Sequence, residues 1–334
     1  MFNAFYKHWL HALLTIIALS CAAAASASSN TLVIFGDSLS DTGNKFAVTR
    51  TLTTVPFDSL DENGIPTYPY ALSLGRFTNG RVWIEHVAED LDAGQNAWPA
   101  MRSWRSGTNY AYGGARAFPD NDNIHLPHQV EQYLMDVSFS VDPETLHVIF
   151  IGGNDIVAAL EALGSDPANP DLEAAITRLG VAGAAIAEAV GTLSHYGARR
   201  FLILNIPNVG LVPGLPEGAS VIATCFAVLL NQGIVPAECG PIPPLPYSIA
   251  EVVAGLEANP AMQVTAIDVF SFISGAAAFP AMLGLSNVTD MCLQPNEWPY
   301  FCEWPKGYLF WDGIHPTRTV HRGMADAVLA ELAK

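Results

Sequence analysis

The chain has 334 residues, of which 50% are hydrophobic and 10% are aromatic, so it can build a large core. This composition excludes disorder over most of the length. The 15 basic and 32 acidic residues give a formal charge of -17 at pH 7, which argues against nucleic acid as a partner and against electrostatic docking on anionic lipid. A neutral or zwitterionic lipid remains compatible with this charge.

The N-terminal segment is typical of a secretory signal peptide. A basic residue precedes an apolar run from about Leu10 to Leu19, and Ala25-Ser26-Ala27 fits the small-residue pattern of a cleavage site. The run is too short for a comfortable membrane span, and no second stretch of spanning length follows. We therefore predict a signal peptide over residues 1–27 and one domain over residues 28–334, exported to the periplasm or the medium. A membrane anchor and lipidation at Cys21 are the alternatives.

Short apolar runs predict the buried strands of a parallel sheet, because each run is continuous and ends at a turn former. Helical patterns lie between them, which favours an α/β fold with helices on both faces of the sheet. The predicted strands are, approximately, Thr31–Phe35, Asn109–Tyr112, Leu146–Ile151, Phe201–Ile206 and Val264–Val269. The predicted helices lie near Asn79–Leu91, Asp171–Tyr196, Ser248–Ala258, Phe270–Leu283 and Thr317–Leu332.

Two remaining segments, 207–246 and 284–308, are predicted to be substrate-facing loops, and each contains a pair of cysteines. In an oxidising compartment the simplest pairing is the disulfides Cys225–Cys239 and Cys292–Cys302. Four cysteines allow three pairings, so the choice rests on the short separation within each pair. A zinc site is the alternative, although no C-x-x-C motif supports it.

The residues that follow each predicted strand are the candidates for chemistry, because ligands bind an open α/β sheet at the carboxyl ends of its strands. Ser38 follows the first strand and is predicted to open a helix, with its hydroxyl exposed beside backbone N–H groups. A serine needs a base to become nucleophilic. Asp312 and His315 form a D-x-x-H turn in which the carboxylate can hold one ring nitrogen while the other faces a serine. A helix-capping serine and a surface histidine are the alternatives.

Acyl transfer also requires donors for the oxyanion that develops on the carbonyl oxygen. The backbone N–H of Ser38 is one candidate, and a glycine of the pair Gly113-Gly114 is a second. The side-chain amide of Asn154, after the third strand, is the third candidate. Taken singly, a Gly-Gly pair and an asparagine after glycines are more often turn formers.

Together these residues resemble the SGNH hydrolases, also called the GDSL family of lipases and esterases. The segment Gly75–Trp83 is also similar to the bacterial phospholipase, lecithinase and haemolysin branch of that family and to its plant relatives. The four sequence blocks of the family appear in order as Gly36-Asp37-Ser38-Leu39, Tyr112-Gly113-Gly114-Ala115, Gly152-Gly153-Asn154-Asp155 and Asp312-Gly313-Ile314-His315.

The resemblance implies a flavodoxin-like three-layer α/β/α sandwich and ester hydrolysis without a metal or another cofactor. It also implies that Ser38 is the nucleophile, that His315 is the general base and that Asp312 orients His315. The implied oxyanion hole consists of the Ser38 N–H, the Gly114 N–H and the Asn154 side chain, with Gly113 as the alternative glycine donor.

The resulting prediction is a secreted carboxylesterase or lipase that cleaves acyl esters of small molecules or lipids through an acyl-enzyme on Ser38. A phospholipase or haemolysin-like activity is the main alternative, followed by acetylated sugars or choline esters as substrates. A non-enzymatic binding protein of the same fold and a glycosidase using Asp37 and Asp41 as its carboxylate pair are less favoured. The oligomeric state is left open.

Overall fold

The computed structural model describes residues 31–49, 52–53, 65–66, 75–101, 107–119, 123–164, 170–293 and 301–334. The predicted signal peptide and Cys21 lie outside these residues. The strands are β1 (Leu32–Gly36), β2 (Leu52–Thr53), β3 (Ile65–Pro66), β4 (Leu146–Phe150), β5 (Arg200–Leu204), β6 (Gln263–Ile267), β7 (Asn287–Met291) and β8 (Tyr308–Phe310). The α-helices are α1 (Asn44–Thr49), α2 (Trp83–Asp90), α3 (Leu126–Asp136), α4 (Gly153–Leu163), α5 (Leu172–His195), α6 (Ser220–Gln232), α7 (Ile249–Glu257), α8 (Val269–Ala278) and α9 (Arg318–Leu332).

The central sheet is parallel and has the order β1-β4-β5-β6. Alternate side chains of each strand point to opposite faces, and both faces are apolar. Val33 and Phe35 pack with α3, α4, α5, α6 and α7, whereas Leu32 and Ile34 pack with α2, α8 and α9. The helices therefore cover both faces, which confirms the predicted three-layer α/β/α architecture.

The predicted strand at Asn109–Tyr112 lies beside β1, but it forms an irregular edge rather than a full strand. Its backbone makes parallel hydrogen bonds with β1, and on its outer side it forms an isolated parallel bridge with Pro99 and accepts hydrogen bonds from an asparagine of α1. The amide of Asn44 donates to the carbonyls of Asn109 and Ala111, at 2.7 and 2.8 Å. The bonds with β1 join Ile34 N–H to Thr108, Tyr110 N–H to Ile34, and Tyr112 N–H to Gly36.

Three expectations about the loops and helices were wrong. The predicted loop 284–308 contains the strand β7. The predicted loop 207–246 contains α6, an apolar helix that ends where Gly233 adopts a left-handed conformation (φ +79°). The predicted helix Phe270–Leu283 stops at Ala278, because Pro280 cannot continue it, and a short 3₁₀ helix follows. The helices α3 and α4 were not predicted.

Both predicted disulfides are present, Cys225–Cys239 with an S–S distance of 2.00 Å and Cys292–Cys302 with 2.08 Å. The first ties α6 to the loop that follows it, and the second joins the end of β7 to the approach to β8.

Among the described residues, α5 is long and apolar enough to cross a membrane. Its side chains Leu179, Ile186 and Leu193 are fully or almost fully buried in the core on one face of the sheet.

Candidate active site

Ser38 lies in a tight turn at the carboxyl end of β1. The N–H groups of Ser40 and Asp41 both donate to the carbonyl of Asp37, at 3.1 and 3.0 Å. The prediction that Ser38 opens a helix is wrong, because α1 begins only at Asn44. The carboxylate of Asp41 accepts the N–H of Asn44 at 2.6 Å, which places the start of the helix there.

The side chain of Gln129 forms two hydrogen bonds with the backbone at the end of β1. Its Oε1 accepts the N–H of Gly36 at 2.9 Å, and its Nε2 donates to the carbonyl of Gly36 at 2.8 Å. A Cβ atom on Gly36 would lie 2.6 Å from the carbonyl oxygen of Phe150, so only glycine fits between the strands. The backbone at Gly36, two residues before Ser38, is therefore held in a fixed position.

His315 stands between Ser38 and Asp312. Its Nε2 lies 2.7 Å from Ser38 Oγ, and its Nδ1 lies 2.8 Å from Asp312 Oδ2. Asp312 Oδ1 also accepts the N–H groups of Ile314 and His315, at 2.8 and 2.6 Å. The carboxylate is therefore fixed by its own turn, and its bond to Nδ1 favours the tautomer in which Nε2 can accept the serine proton.

The segment 75–83, which the sequence singled out without a role, supports the histidine loop. The ring of Phe77 packs against the imidazole of His315, with 5.2 Å between centroids. Thr78 Oγ1 donates to the carbonyl of Pro316 at 2.8 Å, and Asn79 Oδ1 accepts the N–H of Arg318 at 2.8 Å. Sequence reasoning missed Phe77, whose only signal was its place in this family-like segment.

The backbone around the glycine pair distinguishes the two glycines. The N–H of Gly113 donates to Asp41 Oδ2 at 2.9 Å, and the N–H of Ala115 donates to the carbonyl of Tyr112 at 3.0 Å. Within the described residues, the N–H of Gly114 has no acceptor. Its φ of +75° is a conformation that glycine adopts readily. Of the two glycines, Gly114 is therefore the candidate donor to an oxyanion, on the described residues.

Asn154 and Ser38 supply further N–H groups next to this loop. Asn154 Nδ2 donates one hydrogen to the carbonyl of Ala115 at 2.8 Å, which leaves its second amide hydrogen for a ligand. The backbone N–H of Ser38 has no acceptor among the residues that the structure describes. Ser38, Asn154 and His315 line the same cavity. The hydrogen bond from Asn154 to Ala115 connects this cavity wall to the residue after Gly114.

The acidic residues around Ser38 are buried and serve different purposes. Burial raises the pKa of Asp37 to about 7. Burial also raises the pKa of Asp41, although four backbone N–H groups donate to that carboxylate and oppose the rise. Because both oxygens of Asp41 are occupied by the backbone, this residue organises the turn, and the geometry does not resemble a glycosidase carboxylate pair.

The cavity at Ser38 has a volume of about 970 Å³ and is mostly apolar. It lies at the carboxyl edge of the sheet, and apolar side chains from both faces of the sheet line it. Its lining on one face includes Leu160, Leu163 and Ile222, and on the other face it includes Ile273, Val320 and Met324.

His321 also lines this cavity, although sequence reasoning favoured a purely structural histidine there. Burial lowers its pKa to about 3, and the neighbouring His315 and His86 add to that effect. Its Nδ1 accepts the N–H of Trp83 at 3.3 Å, and its Nε2 has no partner among the described residues. No group of three or more His, Cys, Asp or Glu that could hold a metal is found in the described part of the chain.

Comparisons with known proteins match this chain to one family and to several of its members. A family model described as GDSL-like Lipase/Acylhydrolase matches residues 32–328. A phosphatidylcholine-sterol acyltransferase of Aeromonas hydrophila is 25% identical over 96% of this chain and 95% of its own length. A GDSL esterase/lipase of Arabidopsis thaliana is 24% identical over 90% of this chain and 88% of its own length.

A shorter match joins the chain to Lipase 1 of Photorhabdus luminescens, at 32% identity over 60% of this chain. The matched part is only 26% of that lipase, so this chain spans about a quarter of its length. The predicted resemblance is confirmed: the chain belongs to the GDSL-like lipase/acylhydrolase family, a family of carboxylic ester hydrolases.

Proposed function

We propose that this chain is an exported serine hydrolase that cleaves acyl esters of lipids through an acyl-enzyme on Ser38. The observation that carries the proposal is the pair of contacts made by His315, from Nε2 to Ser38 Oγ at 2.7 Å and from Nδ1 to Asp312 Oδ2 at 2.8 Å. A nucleophile in contact with a base, itself oriented by a carboxylate, is the arrangement that activates serine.

The reaction follows from these contacts. His315 Nε2 takes the proton of Ser38 as the oxygen attacks the ester carbonyl, and Asp312 stabilises the imidazolium. The oxyanion is bound by the N–H groups of Ser38 and Gly114 and by the amide of Asn154. His315 then gives the proton to the leaving alcohol, and water releases the acid from Ser38 by the reverse sequence.

The apolar cavity supports a long-chain substrate. A volume of about 970 Å³ exceeds what an acetyl ester requires, and its lining on both sides of Ser38 suits an acyl chain on one side and an apolar alcohol portion on the other. The Aeromonas relative is named for phosphatidylcholine and a sterol, so a phospholipid is the first acyl donor to test. Acyl transfer to an alcohol is the second candidate.

Export is supported by the two disulfides, because such bonds persist in oxidising compartments. The proposed signal peptide, residues 1–27, would direct the chain there. We leave periplasm and medium as the two destinations, with lipidation at Cys21 as a minor alternative.

The test is to produce residues 28–334 in an oxidising compartment and to measure hydrolysis of nitrophenyl esters from acetyl to palmitoyl. Fatty-acid release from phosphatidylcholine vesicles is measured in parallel, with and without a sterol as acceptor. Ser38→Ala is expected to abolish turnover, whereas the matched change Ser140→Ala at an exposed turn is expected to preserve it.

The outcomes separate the possible substrates. Ser38-dependent release from phosphatidylcholine supports the lipid assignment, and a sterol ester as product moves it to acyl transfer. Turnover confined to acetyl and butyryl esters would instead indicate a small-ester esterase. Folded protein with no Ser38-dependent turnover of any ester contradicts the proposal and favours a binding protein.

A further inference from the structure

A lysine is buried beside the glycine turn. Lys45, in the first turn of α1, is only 4% exposed, and its Nζ donates to the carbonyl of Gly113 at 3.1 Å. Asn123 Nδ2 lies 3.4 Å from the same oxygen. Burying an ammonium group is costly unless it makes strong polar contacts, and the carbonyl of Gly113 supplies one of them.

The carbonyl of Gly113 and the N–H of Gly114 belong to one peptide unit. Resonance couples the two ends of a peptide, so a cation that draws electron density to the oxygen makes the N–H more positive. The N–H of Gly114 is also the group that has no acceptor within the described residues. Lys45 therefore contacts the oxygen end of the peptide whose N–H end is the proposed oxyanion donor.

Asp41, which lies three residues before α1, contacts the backbone of both Gly113 and Lys45. Asp41 Oδ2 accepts the N–H of Gly113 at 2.9 Å and the N–H of Lys45 at 3.1 Å. Both backbone groups of Gly113 are thus bonded, one to Asp41 and one to Lys45. The Asp41 contact holds the peptide that precedes Gly113, and the Lys45 contact holds the oxygen of the peptide that carries the Gly114 N–H.

We propose that Lys45 is a positioning residue that holds and polarises the Gly113–Gly114 peptide. The N–H of Gly114 would then bind the oxyanion of the transition state more strongly than it binds the neutral carbonyl oxygen of the ground state. The inference rests on the proposed function, because it requires an oxyanion. A purely structural lysine would affect folding and substrate binding, whereas polarisation affects kcat.

The test compares Lys45→Met, Lys45→Gln and Lys45→Arg with wild type on the best ester substrate. Removing a whole oxyanion donor costs about 10²–10³ in kcat, and we expect loss of polarisation alone to cost about ten-fold. For Lys45→Met we therefore expect a kcat about ten-fold lower with KM within two-fold, and for Lys45→Arg a kcat near wild type. Lys334→Met, at an exposed lysine, is the charge-matched control and should leave kcat unchanged.

A second readout isolates the oxyanion. A trifluoromethyl ketone bearing the substrate acyl chain forms a hemiketal oxyanion on the nucleophile, whereas the corresponding alcohol binds without forming a charge. Lys45→Met is expected to weaken the ketone about ten-fold and to leave the affinity of the alcohol unchanged. Equal weakening of both ligands would overturn the inference, because it would show a defect in the pocket as a whole.

The remaining outcomes are also decisive. An active wild type whose kcat is unchanged in folded Lys45→Met overturns the role of Lys45 alone. If Lys45→Met does not fold, the comparison passes to Lys45→Gln and Lys45→Arg, and equal kcat values in these two overturn the inference. A wild type without Ser38-dependent turnover overturns both the proposed function and this inference.

Discussion

Asp37, the residue before the proposed nucleophile, should make stability depend on pH in an unusual direction. Its side chain is buried, and burial raises its pKa from 3.8 to about 7, although the N–H of Leu39 and the imidazole of His315 oppose the rise. The carboxylate of Asp155 adds to it. The folded protein therefore favours the neutral acid, whereas the unfolded chain ionises near pH 4.

The magnitude follows from the shift. A folded pKa above the unfolded value gives stability that is fully present below about pH 4 and is lost as the pH rises through 7. A shift of about 3 units corresponds to about 4 kcal/mol of unfolding free energy, at about 1.4 kcal/mol per pH unit. The replacement Asp37→Asn cannot ionise, and its amide oxygen can still accept the N–H of Leu39, now at 3.0 Å from Asp37 Oδ1.

The assay is urea unfolding of wild type and Asp37→Asn at several values between pH 4 and pH 8, without reductant. We expect the stability of the variant relative to wild type to increase by about 4 kcal/mol across this range. Asp290→Asn, at an exposed aspartate, is the control and should show no such increase. A difference between Asp37→Asn and wild type that stays constant with pH would refute the reasoning.

Three further predictions concern the turn, the cavity and the disulfides. Gly113→Ala should lower Tm and kcat, because its Cβ would lie 2.4 Å from the ring of Phe77, which also packs on the imidazole of His315. Gly94→Ala, in open space, should change neither appreciably. His321→Gln should improve stability relative to wild type as the pH falls from 6.5 towards 3, because a pKa lowered to about 3 makes the folded state lose stability there; denaturant unfolding at pH 4 and 7 checks this, and equal shifts at both values would contradict it. Replacing Cys292 and Cys302 together by serine should cost about 3 kcal/mol in urea unfolding through the loss of a 10-residue loop constraint, and an unchanged midpoint would contradict that expectation.

The sheet and the contact between Ser38 and His315 could be anticipated from local sequence. Four consecutive apolar residues followed by glycine, as in Leu32–Phe35 and Val148–Ile151, are typical of a buried parallel strand, and the carboxyl ends of such strands share one edge of the sheet. The D-x-x-H spacing makes the turn at Asp312 self-contained, because the carboxylate bonds its own next residues. These features depend on neighbours in sequence.

The supporting residues could not be anticipated, because their partners are distant in the chain. Gln129 bonds Gly36 across 93 positions, and Lys45 bonds Gly113 across 68. Neither pattern carries a local periodicity. The helix α6 was missed for another reason. The Pro- and Gly-rich residues on both sides of it led to the prediction of a loop over 207–246, although the residues of α6 themselves favour a helix.

The amide of Asn44, which occupies the outer carbonyls of Asn109 and Ala111, makes the two borders of the sheet chemically unequal. A second polypeptide cannot add a strand at that border without displacing the asparagine and the segment at Pro99 that bridges Asn109. At the opposite border, β6 pairs with β5 alone among the described strands, and side chains such as Gln263 and Ala266 are exposed. Intermolecular strand addition, and with it aggregation from partly opened molecules, should therefore begin at β6.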